Sequence, residues 1–163
     1  MEIILLSDND LVKNTPLGGN IDVDKYVFCI QEAQLSKLIE ILGEDLYEKI
    51  KTDFNTNTLS GLYLTLYNRI KPFLIRQSAV EYLQIGAYTV GNGGIYKHTP
   101  DNGSPLDKSD IDVLVNNEKN KADKYQKRLQ DWLCKFGSGI PEYKCEADNI
   151  VNPKNGKIGG WYF

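Results

Sequence analysis

Histidine is almost missing from this 163-residue chain: His98 stands alone, so any catalytic triad or histidine-based metal site would have to be built on it. Its neighbours Lys97 and Thr99 form no recognised motif, which favours a loop histidine without a special task. Cysteine is scarce too. Cys29, Cys134 and Cys145 are odd in number, far apart and form no CxxC pair, which points to a reduced, cytoplasmic setting with the first two as core thiols. A basic excess is lacking, with 19 Lys and Arg against 22 Asp and Glu and a net charge of −3, so nothing marks a general nucleic-acid binder. No uncharged apolar run approaches the roughly 20 residues of a membrane span. The start, MEIILLSDND, has only four consecutive apolar residues and no basic flank, unlike a secretory signal. GxSxG, HExxH, Walker A and GxGxxG are absent. No catalytic, cofactor-binding or metal-ligating residue is therefore expected. Asp107, Asp110 and Asp112 are better explained as carboxylates at the positive end of a helix dipole than as a metal site.

What is present is helical patterning. The pattern predicts a chain organised around Pro72–Val90, PFLIRQSAVEYLQIGAYTV, which is apolar on almost every side. Only Gln77, Glu81 and Gln84, with Arg76 beside them, form a polar edge, the pattern of a central buried helix. Before it, Ile3–Leu6 reads as extended and Ser7 as the cap of a short helix through Lys13. Asp22 is placed to cap a helix over Val23–Leu42, which Gly43 breaks, and Glu44–Phe54 continues as another. Thr58 is expected to cap a helix over Leu59–Ile70, with Leu62, Leu66 and Ile70 as its inner stripe. Pro72 must then kink that helix or open the next.

Four glycines and two prolines make Gly91–Pro105 a long loop, and loops of that length are usually functional or disordered. The final helix is expected from Leu106 to Phe136. Its seam is Ile111, Val115, Glu118, Ala122, Tyr125, Leu129, Trp132 and Phe136, broken only by Glu118. At about 45 Å it is longer than a small core needs, which leaves part of its length for a partner. From Gly137 the character changes: Tyr143, Cys145 and Ala147 alternate with charges, and Asn155-Gly156 lies between apolar patches at Ile150-Val151 and Ile158 with Trp161–Phe163. These features predict a short C-terminal β-hairpin or an extended arm. The expected architecture is all-α: a helical bundle around a buried central helix with one long C-terminal helix, residues 1–136, followed by the arm or hairpin, 137–163. Trp161, Tyr162 and Phe163 can fold back on their own core or dock on another chain, and the residues alone leave both open.

Four runs carry a resemblance: ILGEDLYEKI at Ile41–Ile50, TLSGLYLTLY at Thr58–Tyr67, AVEYL at Ala79–Leu83 and GGIYKHT at Gly93–Thr99. In this order they resemble structural proteins of tailed bacteriophages, including crAss-like phages of Bacteroides-type gut bacteria, and through them the helical head–tail connector (adaptor) family. The resemblance spans roughly Ile3–Cys134 and its motifs are structural. It implies a non-enzymatic virion protein assembled in the host cytoplasm, a ring of twelve copies at the neck below the portal. Such a ring continues the DNA channel, without sequence-specific binding to the DNA, and docks the next neck or tail ring. On this basis the expected oligomer or portal interface comprises Ile95, Tyr96, Lys97, His98, Ile150, Val151, Trp161, Tyr162 and Phe163. The competing expectation is a soluble helical binding or assembly module acting in the infected cell and not packaged. An enzyme centred on His98 and Asp101 is disfavoured by the single histidine and the lack of a motif.

Overall fold

The computed structural model describes residues 3–15, 23–85, 88–91, 94–97 and 108–144. Over these the protein is mostly helical, in keeping with an all-α class. Ser7 opens α1 (Asp8–Asn14): the Asp10 carboxylate accepts hydrogen bonds from its backbone N–H at 2.9 Å and its hydroxyl at 2.8 Å. That is the reciprocal half of a capping box. The expected helix from Val23 to Leu42 exists as three joined pieces, α2 (Val23–Ala33), a π-helical turn (Gln34–Leu38) and α3 (Ile39–Leu42). Its expected cap, Asp22, lies outside the described residues. Gly43 stops it with φ +78° and ψ 158°, a backbone conformation essentially reserved for glycine, and α4 (Glu44–Asn55) begins directly after.

The two helices expected on either side of Pro72 are one, α5 (Gly61–Ile85), with the proline inside it. Thr58 does not cap it. Ser60 offers its carbonyl to the Leu64 N–H at 3.2 Å, and the Thr58 hydroxyl instead meets that of Thr56 at 2.8 Å. Leu66 and Ile70 of the expected stripe are fully buried, but Leu62, in the first turn, is 41% exposed. At the other end the helix stops at Ile85, short of the expected Val90. Tyr88–Gly91 and Gly94–Lys97 form an antiparallel pair, β1 and β2, inside what the composition suggested was helix end and loop. An aromatic followed by β-branched Thr89 and Val90 favours a strand. The register pairs Gly91 with Gly94, and the two residues between them in sequence are Asn92 and Gly93, the strongest short hairpin signal. α6 (Lys108–Phe136) follows and ends in a 3-10 turn, Gly137–Gly139.

α5 is the central element: α6, α2, α1 and the π-helical turn all pack on it. Phe73, Leu74, Ile75, Ala79 and Val80 are buried as the sequence implied, against Tyr26, Ile30, Leu38, Ile41, Leu46, Tyr47, Ile50 and, from α6, Leu129, Trp132 and Leu133. Glu118, the one break in the α6 seam, is 3% exposed, and Arg76 of α5 donates to it at 3.0 Å. The polar edge of the central helix and the polar gap in the last helix are thus two halves of one buried ion pair. Arg76 beside Glu118 and Arg69 beside Trp132 fix α5 and α6 as antiparallel.

The start of the C-terminal segment belongs to this core. Ile140 is buried, and the Tyr143 ring lies so close to Gly137 that an added Cβ there would stand 2.5 Å from its Cδ1. Tyr63 donates to Glu142 at 2.6 Å, and Lys144 pairs with Asp45. Tyr143 and Lys144 are not in a strand. The hairpin or arm expected beyond them lies outside the described residues, as does the greater part of the expected Gly91–Pro105 loop.

Candidate functional site

Three groups inside the fold could carry chemistry. The first centres on Gln34, fully buried in the π-helical turn. Its carbonyl oxygen accepts from the Leu5 N–H at 2.8 Å, and its amide donates to the Ile3 carbonyl at 3.0 Å and the Tyr47 hydroxyl at 3.1 Å. One side-chain amide therefore does for Ile3–Leu5 what a neighbouring strand would do. The Tyr67 hydroxyl donates to the Leu5 carbonyl at 2.9 Å and completes the clamp. Burial first, and the Asp10 charge second, push the Tyr67 phenol up to about 12. The second is the trio Arg76–Glu118–Lys121, with Lys121 at 2.5 Å from the carboxylate. The third is Cys29, whose thiol is pushed up to about 12 by burial and by the charges of Glu81 and Glu32, the opposite of an activated nucleophile. Each group is structural in its surroundings, and among the described residues no group of three or more His, Cys, Asp or Glu could hold a metal ion. No described helix is long and apolar enough to cross a membrane.

The surface is more informative. In α6 the residues from Glu118 onward enter the core, whereas from Lys108 to Asn117 only Ile111 and Val115 are even half-buried. These first ten positions, about 15 Å of helix, make an overhang only in the sense that none of their side chains is buried. Val113 (58% exposed) and Leu114 (40%) are apolar and uncovered on that overhang. Phe28 and Leu35, seven residues apart and so on one side of α2 and its π extension, are exposed at 54% and 50%.

Of the interface residues expected from sequence, Ile95, Tyr96 and Lys97 fall together on β2, opposite Val90, Thr89 and Tyr88. His98, Ile150, Val151, Trp161, Tyr162 and Phe163 lie outside the described residues. The α6 overhang and the Phe28–Leu35 face were missed by name. Their signal was available: each is an apolar residue left over once the core stripe of its helix has been assigned.

Residues 38–153 match the family of unknown function DUF6712, from the π-helical turn through α6 and past the last described residue. The chain belongs to that family. The matched span takes in the Gly43 stop, the whole of α5, the hairpin and the whole of α6. No curated protein and no solved structure matches the chain.

Proposed function

We propose that this chain is a structural subunit of a tailed-phage virion, one copy of a ring at the neck that joins portal to tail and continues the DNA channel. The observation that carries the proposal is the start of α6, nearly three helical turns with no buried side chain and with Val113 and Leu114 uncovered. A solitary globule gains nothing from a helix that outruns its own core. A ring subunit does, because a heterologous interface sets one surface of each copy against a different surface of the next. The resemblance of Ile41–Ile50, Thr58–Tyr67, Ala79–Leu83 and Gly93–Thr99 to connector-type phage proteins supports the same reading and supplies the portal as partner.

The direct test is the molar mass of the purified full-length chain, alone and mixed with the portal protein of the same phage, together with mass spectrometry of purified virions. A ring-sized assembly with portal, and the chain present in particles at near-portal copy number, is the expected outcome. A monomer that ignores portal and is absent from particles would instead identify a helical module that works in the infected cell.

A further inference from the structure

The net charge of −3 hides a strong asymmetry. Between Asp8 and Asn55 ten carboxylates face five lysines, while from Lys119 to Phe136 six cations, one of them Arg128, face only Asp123 and Asp131. Five of these ten carboxylates are paired with lysines, two of them from outside the segment. Asp10 pairs with Lys71, Glu40 with Lys37, Glu48 with Lys51, Asp53 with Lys49 and Asp45 with Lys144. Along α6 and the facing side of α5 the situation is reversed. Among the described residues, no ion pair involves Arg69, Lys124, Lys127, Arg128 or Lys135.

The spacing gathers these cations. Lys121, Lys124, Arg128 and Lys135 stand at i, i+3, i+7 and i+14, within an arc of about 60° on the helix and a rise of about 21 Å. From the neighbouring helix Arg69 reaches over the Trp132 ring at 5.6 Å, and Arg76 shares Glu118 with Lys121, two cations to one carboxylate. Arg128 lies over Tyr125 at 5.4 Å and Lys135 over Phe136 at 5.3 Å. A cation held over a ring face is already partly ordered and keeps its charge outward. The bordering acids are Asp131, at the edge of the arc, and Glu118, already engaged.

We infer that this α5–α6 flank is a phosphate-backbone contact surface for nucleic acid, and that in the neck ring it is the face turned to the DNA. Duplex backbone fits better than stacked single-stranded bases, because Trp132 is buried and Tyr125 half-buried under the cations, and the one exposed ring, Phe136 at the end of the patch, is no platform for successive bases. No base-reading group is needed, so the contact is independent of sequence. Roughly four net charges per copy make it weak, with a Kd of about 10⁻⁴–10⁻⁶ M at physiological salt, which suits DNA that must move past. The orientation within a ring rests on the proposed function; the contact with DNA does not.

The test is fluorescence anisotropy of a labelled 30-base-pair duplex titrated with the full-length chain. Binding should weaken on the order of a hundredfold between 50 and 200 mM salt, as expected for about four phosphate contacts. Lys124→Glu/Arg128→Glu/Lys135→Glu should lower affinity at least tenfold. The milder Lys124→Gln/Arg128→Gln/Lys135→Gln should lie between it and the parent, and Lys13→Glu/Lys37→Glu should stay within twofold. Circular dichroism melts confirm that each variant is folded. Absence of binding by the parent at 50 mM salt, or equal losses in the flank and control variants, would overturn the inference. So would a flank variant that loses self-association while DNA binding is unchanged, since the flank would then be a subunit contact. Duplex binding by a chain absent from virions would sink the neck ring and leave the DNA contact standing.

Discussion

Single side chains decide how the pieces of this fold are held in register. Arg76 and Glu118 tie the two longest helices together, and removing one partner strands the other in low dielectric. Arg76→Ala is expected to cost about 2–4 kcal/mol, because Glu118 at 3% exposure keeps only Lys121. Arg76→Leu/Glu118→Leu should recover most of that loss or exceed the parent, which urea midpoints would show. At Gln34 the equivalent experiment is Gln34→Leu. It leaves the Leu5 N–H, the Ile3 carbonyl and the Tyr47 hydroxyl without this partner, at a cost of about 2–3 kcal/mol. Hydrogen exchange at the Leu5 amide should rise well beyond the change in global stability. Asp10 gives the fold a pH dependence. Burial pushes its carboxyl up, but hydrogen bonds from Lys71 and from the Ser7 N–H and hydroxyl outweigh that and hold it below its ordinary 3.8. A depressed carboxylate contributes stability that is present above pH 3.8 and lost as pH falls through the folded-state value. Asp10→Asn should therefore be less stable at pH 7 and lose less between pH 5 and pH 2, a difference that thermal melts across that range would reveal.

Elements are bounded by backbone chemistry more than by their hydrophobic pattern. Gly43 separates α3 from α4 at φ +78°, and nothing lies within 4 Å of where its Cβ would stand. Gly43→Ala should thus cost about 1–3 kcal/mol purely through backbone strain, with no clash to relieve. A larger loss, or none, would show that the corner can shift. The stop of α5 at Ile85 follows the same logic. Beyond it Thr89 and Val90 are β-branched, and the Asn-Gly pair at 92–93 favours a hairpin over continued helix. Asn155-Gly156 carries the same dipeptide signal. Pro72 shows the opposite case: the missing N–H is tolerated inside α5 because packing on two sides outweighs one lost hydrogen bond.

For the whole molecule the question is what covers the overhang. Val113→Asp/Leu114→Asp changes residues with little to lose in the monomer, so the melting temperature should stay within a few degrees while assembly with portal falls at least tenfold. Sedimentation velocity with and without portal reads both forms together. An unchanged assembly would remove the overhang from the interface. The charge asymmetry acts at this scale too. Half of the carboxylates of residues 8–55 are paired with lysines, whereas most cations of the second half of α6 form no ion pair, so the charge is unevenly spread despite the small net value.

Periodicity alone was enough for the helical class, the burial of Phe73, Leu74, Ile75, Ala79 and Val80, and the middle of the last helix's seam at Ala122, Leu129 and Trp132, because apolar spacing acts within a few turns. The ends of that seam differ, with Ile111 and Val115 half-buried and Phe136 42% exposed. Glu118 looked like a flaw in that seam and Arg76 like part of a solvated edge. Only the antiparallel approach of α5 and α6 made them one ion pair. The same holds for Gln34, whose partners lie about thirty positions earlier in the chain, at Ile3 and Leu5, and for the free cations of α6, which net charge had averaged away. Contacts between distant residues are set by how helices cross, and a linear pattern carries the faces of each helix but not the crossing.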